Sequence, residues 1–182
     1  MTPTHSPGRV AIPSLPTVLD AFNIAPADEA RSLLLRCLHS LRWAERVAAH
    51  RPYPTVDALL AASDEAAYDL TPGDLSEALA GETLPALPDG AYSAAHMAMD
   101  AAHAAYEARF GHAFVICLDG LAPSEALDHA LEGIRSRLTN DPEEERVVAA
   151  EELRRLARER LFHFHRGAGN CAPSPSGAAP GA

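Results

Sequence analysis

His96, Asp100, His103 and Glu107 recur at steps of four, three and four. On a helix that spacing puts all four on one face. Imidazole and carboxylate side chains serve both metal binding and proton transfer. Four ligands on one straight helix nevertheless span about three turns, roughly 16 Å, which is too long for a single ion. The stripe therefore reads as a polar or site-lining face, with at most two or three members converging on a metal. His163 and His165 flank Phe164 near the expected end of the last helix. Imidazoles there suit the negative end of the helix dipole, so a capping role outweighs a ligand role. Cys37, Cys117 and Cys171 are odd in number and far apart. They fit neither a disulfide framework nor a zinc knuckle, and read as two buried thiols and one in a tail. The sequence contains no Gly-rich phosphate loop, G-x-S-x-G elbow, HExxH or dinucleotide fingerprint.

The elements that must position these groups are helices. The chain has 182 residues, enough for one sizeable core. It is 47% hydrophobic but only 5% aromatic, so alanine and aliphatic residues must fill that core, and alanine is the residue least penalised on entering a helix. The formal net charge is −10, without the basic face that a nucleic-acid partner requires. Arg154, Arg155, Arg158 and Arg160 alternate with Glu151, Glu152 and Glu159 as on a solvated helix face. No signal peptide, membrane anchor or spanning apolar run is legible, so a reducing cytoplasmic setting is expected.

Punctuation along the chain places the helices. Pro26-Ala27-Asp28-Glu29 opens one with Leu33, Leu34 and Cys37 inward. Another starts near Ser40, with Leu41, Ala44, Val47 and Ala48 on one face, and stops before Pro52. Thr55 caps a third, with Val56, Leu59, Leu60 and Ala67 inward. Thr71-Pro72-Gly73-Asp74 combines an N-cap, a first-turn proline and an acid three residues on. Gly81 to Ala91, with Pro85, Pro88 and Gly90, reads as a loop. Tyr92 to Phe110 forms a long helix with Ser93 as cap and Gly111 as left-handed terminator. Ala113 to Leu118 is strand-like but partnerless, hence buried connecting chain. Pro123–Leu138 and Pro142 to about Phe164 complete the set. The expected fold is all-α, a compact single-domain bundle of about seven helices over residues 16–166. A disordered segment over 1–15 and a disordered tail over 167–182 flank it.

Several short blocks occur in a telling order. Tyr106-Glu-Ala-Arg-Phe-Gly-His-Ala-Phe-Val-Ile-Cys-Leu-Asp-Gly120 carries Y-x-x-K/R-F-G-x-x-F-I/V. Arg137-Leu138-Thr139-Asn140-Asp141-Pro142-Glu143-Glu144-Glu145 carries R-L-x-N-x-x-x-x-E, and Arg160-Leu161 ends the last helix. Upstream stand Phe22-Asn23, the Cys37 to Val47 block with Trp43-Ala44, and Arg51-Pro52. From Phe22 to Leu161 the chain resembles the 2-oxo-4-hydroxy-4-carboxy-5-ureidoimidazoline (OHCU) decarboxylases. That resemblance implies a helical homodimer that needs no metal or organic cofactor. It would act on a small anionic ureide or heterocyclic carboxylate of urate degradation and yield (S)-allantoin. Loss of carbon dioxide leaves a carbanion-like centre that must be protonated from one face, which calls for a positioned acid–base pair and donors for the developing oxyanion.

The chain departs from the family at that pair. The family pattern has a loop histidine in A-x-H-P-x-I/L-G and a glutamate in S-x-x-E-Q. Here the corresponding stretches read Ala80-Gly81-Glu82-Thr83-Leu84-Pro85 and Ser93-Ala94-Ala95-His96-Met97. Either Glu82 and His96 face each other with exchanged roles, or the ancestral pair is lost and the exchange is accidental. By the same resemblance Ser93 binds a carboxylate or carbonyl oxygen, although an N-cap has the same requirement. Arg160 holds the anionic substrate, or else makes a salt bridge on the last helix. Phe114 and Val115 belong to the segment that shapes the pocket wall, and Trp43 is core. A family member repurposed for another small carboxylated substrate, or a non-catalytic helical binding protein, remains the alternative.

Overall fold

The computed structural model describes residues 16–83 and 93–167, which form eight helices. In order these are α1 (Val18–Ile24), α2 (Ala27–Cys37), α3 (Leu41–Ala49), α4 (Val56–Tyr68), α5 (Pro72–Ala80), α6 (Ser93–Phe110), α7 (Pro123–Arg137) and α8 (Pro142–Gly167). The extra element relative to expectation is α1. Its start is a capping box: Thr17 Oγ1 accepts from the Asp20 amide while the Asp20 carboxylate accepts from the Thr17 amide. Seven residues is short for a helix to hold by itself, and tertiary bonds secure it. The Arg51 guanidinium donates to the Phe22 and Ala25 carbonyls at 2.7 and 2.8 Å, and Asn23 and Tyr53 exchange two bonds of 2.8 Å. The Phe-Asn and Arg-Pro blocks of the sequence thus staple α1 to the chain after α3.

The capping signals hold where the chain is described. Ser40, Thr55 and Thr71 each accept from a backbone amide three residues on, and Gly111 sits at φ 77, the left-handed region that ends α6. One inward assignment does not hold. Leu41 is 45% exposed, because it is the first residue of α3 and the face through Ala44 and Val47 turns away from it. The expected terminal segments 1–15 and 167–182, apart from Gly167, which ends α8, and most of the Gly81–Ala91 loop lie outside the described residues.

Helix α8 is the centre of the larger core. Its Ala149, Leu153, Ala157 and Leu161 recur every four residues and are fully buried, packing with α2, α4 and α5. Trp43 is fully buried in the same core, and its indole N–H donates to the Ser63 carbonyl at 3.0 Å. A smaller core joins Met99 and Tyr106 of α6, Ala130 and Ile134 of α7, and Phe114. The stretch Ala113–Leu118 is connecting chain without helix or strand, as expected, buried at Phe114 and Val115 and partly buried elsewhere. Those two adjacent side chains go to opposite sides: Phe114 enters the α6–α7 core and Val115 the α8 core. This stretch is the seam between the two.

Candidate functional site

Helix α5 stops at Gly81, and Glu82 follows at once. Gly81 fits because it lies against His39, where an added Cβ would come within 2.4 Å of the His39 Cβ. The Glu82 carboxylate is only 6% exposed and turns onto α8. Arg160 donates to both of its oxygens, Nη1 to Oε1 and Nη2 to Oε2, each at 2.7 Å. The same guanidinium donates to the Cys37 carbonyl at 2.9 Å. Two parallel bonds from a planar fork are the strong form of this pairing. They hold the Arg160 proton more firmly than usual, with burial opposing.

Glu82 also lines a cavity of about 300 Å³, with Ser76, Leu79 and Ala80 of α5 on one side and Phe110, Gly111, His112 and Ala113 on the other. That volume is at the lower end of small-molecule sites. Phe114 and Val115 are themselves fully buried and stand behind this wall. The wall is braced from below by a buried network. Arg137 donates to the Val115 carbonyl at 2.6 Å and to Glu145 at 2.9 Å. Tyr106 also donates to Glu145, as does Asn140 at 2.9 Å. Burial first, then the hydrogen bond to Glu145, pushes the Tyr106 phenol well above its usual range. The Arg137 guanidinium also lies over the Phe114 ring, 4.5 Å from its centroid. The motif spaced R-L-x-N-x-x-x-x-E is therefore a scaffold for the turn that faces Glu82.

Of the residues singled out from sequence, Glu82 and Arg160 come together directly, although no periodicity linked them. The side chains of Ser93 and His96 lie outside the described residues. The stripe on α6 divides: His103 is buried, 6.0 Å ring to ring from Phe114, while Asp100 and Glu107 are exposed. Among the described residues, neither His103 ring nitrogen has a hydrogen-bond partner, and its ring packs as a core residue beside Phe114. Among the described residues, neither His163 nor His165 bonds to a carbonyl at the end of α8. His163 faces Asp119 and Glu159, and His165 packs edge-on against Phe22. Cys37 is buried as expected, which pushes its thiol up to about 11, whereas Cys117 is half-exposed.

Sequence reasoning missed His112. Its Nδ1 lies 3.0 Å from the Ala113 carbonyl. A carbonyl only accepts, so Nδ1 donates and the neutral ring keeps its free lone pair on Nε2. The available signal was its position directly after the left-handed Gly111, in the block that forms the wall.

An all-helical domain with a carboxylate–guanidinium pair beside a small cavity is the class of protein that results. A sequence model of OHCU decarboxylase matches residues 23–89 and 86–162, and the chain belongs to that family. Two solved structures share the fold. The crystal structure of (S)-allantoin synthase aligns with TM-score 0.64 and 21% identity, over 82% of this chain and 54% of that one. This chain thus spans about half the length of that protein. The crystal structure of OHCU decarboxylase in the presence of (S)-allantoin aligns with TM-score 0.64 and 17% identity, over 78% of this chain and 99% of that one. No curated protein sequence matches. Among the described residues no helix is long and apolar enough to cross a membrane.

Proposed function

We infer that this family member decarboxylates a small anionic ureide, with the ureidoimidazoline intermediate of urate degradation as first candidate and (S)-allantoin as product. The observation that carries this reading is Glu82, held by Arg160, on the wall of a cavity sized for such a substrate. In the reaction the bond between the carboxylate carbon and the ring carbon breaks. Carbon dioxide leaves and the electron pair stays on the ring carbon, which then takes one proton. Arg160 is suited to orient an anionic group near Glu82. His96, at the start of α6, is the proposed proton donor, with Glu82 as its partner in exchanged roles and Ser93 as a donor to substrate oxygen. His112 lies on the opposite wall, where its Nε2 would have to be protonated first to serve as the proton donor instead.

The test adds purified protein to freshly generated intermediate and follows allantoin by circular dichroism. The reading expects rapid growth of an (S)-allantoin signal, lost in His96→Ala and in Glu82→Gln. A signal lost in His112→Ala but kept in His96→Ala would move the proton donor to His112. A rate no faster than spontaneous racemic decay would remove the reaction.

One observation favours a second reading, a repurposed member or a non-catalytic binder. Both oxygens of Glu82 are already matched by Arg160, so an incoming carboxylate must compete for the guanidinium. Saturable binding of small carboxylates with no turnover of the intermediate would select this alternative.

A further inference from the structure

A second cluster lies on another face of α8, sharing no residue with the Glu82 cavity. Glu159 and His163 are four apart and therefore neighbours on the helix surface. Asp119 joins them from the turn after the seam, where Gly120 at φ 77 reverses the chain. The His163 Nε2 lies 3.7 Å from Glu159 Oε1 and 3.8 Å from Asp119 Oδ1. One ligand atom from each of the three residues lies within 4.8 Å of the others. Two donors held about 2.1 Å from a tetrahedral ion lie roughly 3.4 Å apart, so the two histidine separations need to close by only a few tenths of an ångström, while the carboxylate pair lies within 4.8 Å.

The two carboxylates of the cluster stand apart from the other acids of α8. Elsewhere on α8, Glu143, Glu145, Glu151 and Glu152 each contact an arginine. Among the described residues, the ion-pair contacts of Asp119 and Glu159 are with His163 alone. The Cys117 thiol donates to the other Glu159 oxygen, Oε2, at 3.4 Å, which leaves Oε1 directed at the histidine. Asp119, Glu159 and Cys117 also line a surface cleft of about 720 Å³ whose far side carries Asp57 and Asp64 with Arg154, Arg155 and Arg158, and two of those arginines, Arg154 and Arg158, are paired with Asp64. A three-residue ligand set there keeps a coordination position for water or a small ligand.

We propose that Asp119, Glu159 and His163 form a binding site for a borderline divalent cation of the zinc type, with Cys117 orienting Glu159 from behind. Imidazole with two carboxylates disfavours the all-oxygen preferences of calcium and magnesium, and suits zinc among the late first-row ions. Ligation ties the seam to α8. A hydrogen-bonded partner behind a ligating carboxylate is the usual means of fixing its direction.

The experiment titrates chelator-stripped, untagged full chain with Zn²⁺ by calorimetry and reads Tm with and without the metal. One equivalent per chain and a rise in Tm are expected. His163→Ala and Asp119→Asn should each weaken binding at least tenfold, while His129→Ala, at an exposed histidine away from the cluster, leaves it unchanged. All three substituted side chains are exposed, and circular dichroism of the metal-free variants verifies that they fold. Cys117→Ser, which keeps a donor toward Glu159, should bind within about threefold of the parent. A tenfold loss there would put the thiol in the coordination sphere and overturn the three-residue assignment. Absence of saturable binding, or binding that survives His163→Ala, overturns the site itself.

Discussion

Arg160 and Glu82, 78 positions apart in the chain, meet through two parallel hydrogen bonds of 2.7 Å. The contact closes the end of α5 onto α8 and sets the direction of a carboxylate that would otherwise leave the last turn of α5 free. Its partners are unequal in exposure, with Glu82 nearly buried and Arg160 about a third exposed. The contribution to stability therefore lies below that of a fully buried pair.

Glu82→Ala removes the carboxylate and leaves Arg160 with only the Cys37 carbonyl. A loss of about 1–3 kcal/mol is expected in urea denaturation. Arg160→Lys keeps the charge but cannot make the two-pronged contact. In the ureide assay it should raise KM more than it lowers kcat, if Arg160 holds substrate.

The network under the cavity wall should be costlier to break. Glu145 is fully buried and takes bonds from Arg137, Tyr106 and Asn140. Glu145→Ala strands the Arg137 charge in the core, and the expected loss is about 3–5 kcal/mol. Tyr106→Phe deletes a single donor and should cost about 1–2 kcal/mol. Guanidinium denaturation of the two variants in parallel checks the order; equal losses would refute a charge-centred network.

His103 gives a pH signature. Burial lowers its pKa from the ordinary 6.5, and the Glu107 and Asp100 carboxylates offset part of that effect. Above 6.5 the ring is neutral in both folded and unfolded chains and has no effect. As the pH falls below 6.5 the unfolded chain takes up the proton first, so stability drops until the folded ring also titrates. The slope from this one group is at most about 1.4 kcal/mol per pH unit. His103→Leu should flatten the fall between pH 7.5 and 5.5, measured by urea melts at each pH. An unchanged slope would remove His103 as its source.

Gly81→Ala tests how the site is placed. The new Cβ meets the His39 Cβ at 2.4 Å, and overpacking of this kind costs about 1–3 kcal/mol. His39→Gly in the same chain removes the obstructing atom and should restore most of the loss. A double-mutant cycle without coupling would show that the clash is relieved in some other way.

Most of the fold was legible because caps and breakers act locally. Thr55, Thr71 and Gly111 mark helix ends through their own backbone, so seven of the eight helices were readable. Thr17 and Asp20 carried the same signal for α1, but so short a helix depends on Arg51 and Asn23, whose bonds cross about thirty positions. The site was less legible. The spacing on α6 suggested a shared face, yet His103 turned into the core against Phe114 because that side of the helix meets the seam. Glu82 and Arg160 were each singled out, but their mutual contact depends on how α5 docks on α8, which no local pattern encodes. The Asp119, Glu159 and His163 cluster likewise forms only because a turn after the seam folds back onto α8.

The central position of α8 also bears on synthesis. Its buried stripe, Ala149 to Leu161, covers α2, α4 and α5, yet it follows all of them along the chain. A ribosome-bound chain that ends before α8 must present the uncovered apolar faces of those helices to solvent. Glu82 likewise waits for Arg160. Nascent chains of this protein are therefore expected to need protection by chaperones until α8 emerges, and the site is assembled in the same event that buries the core.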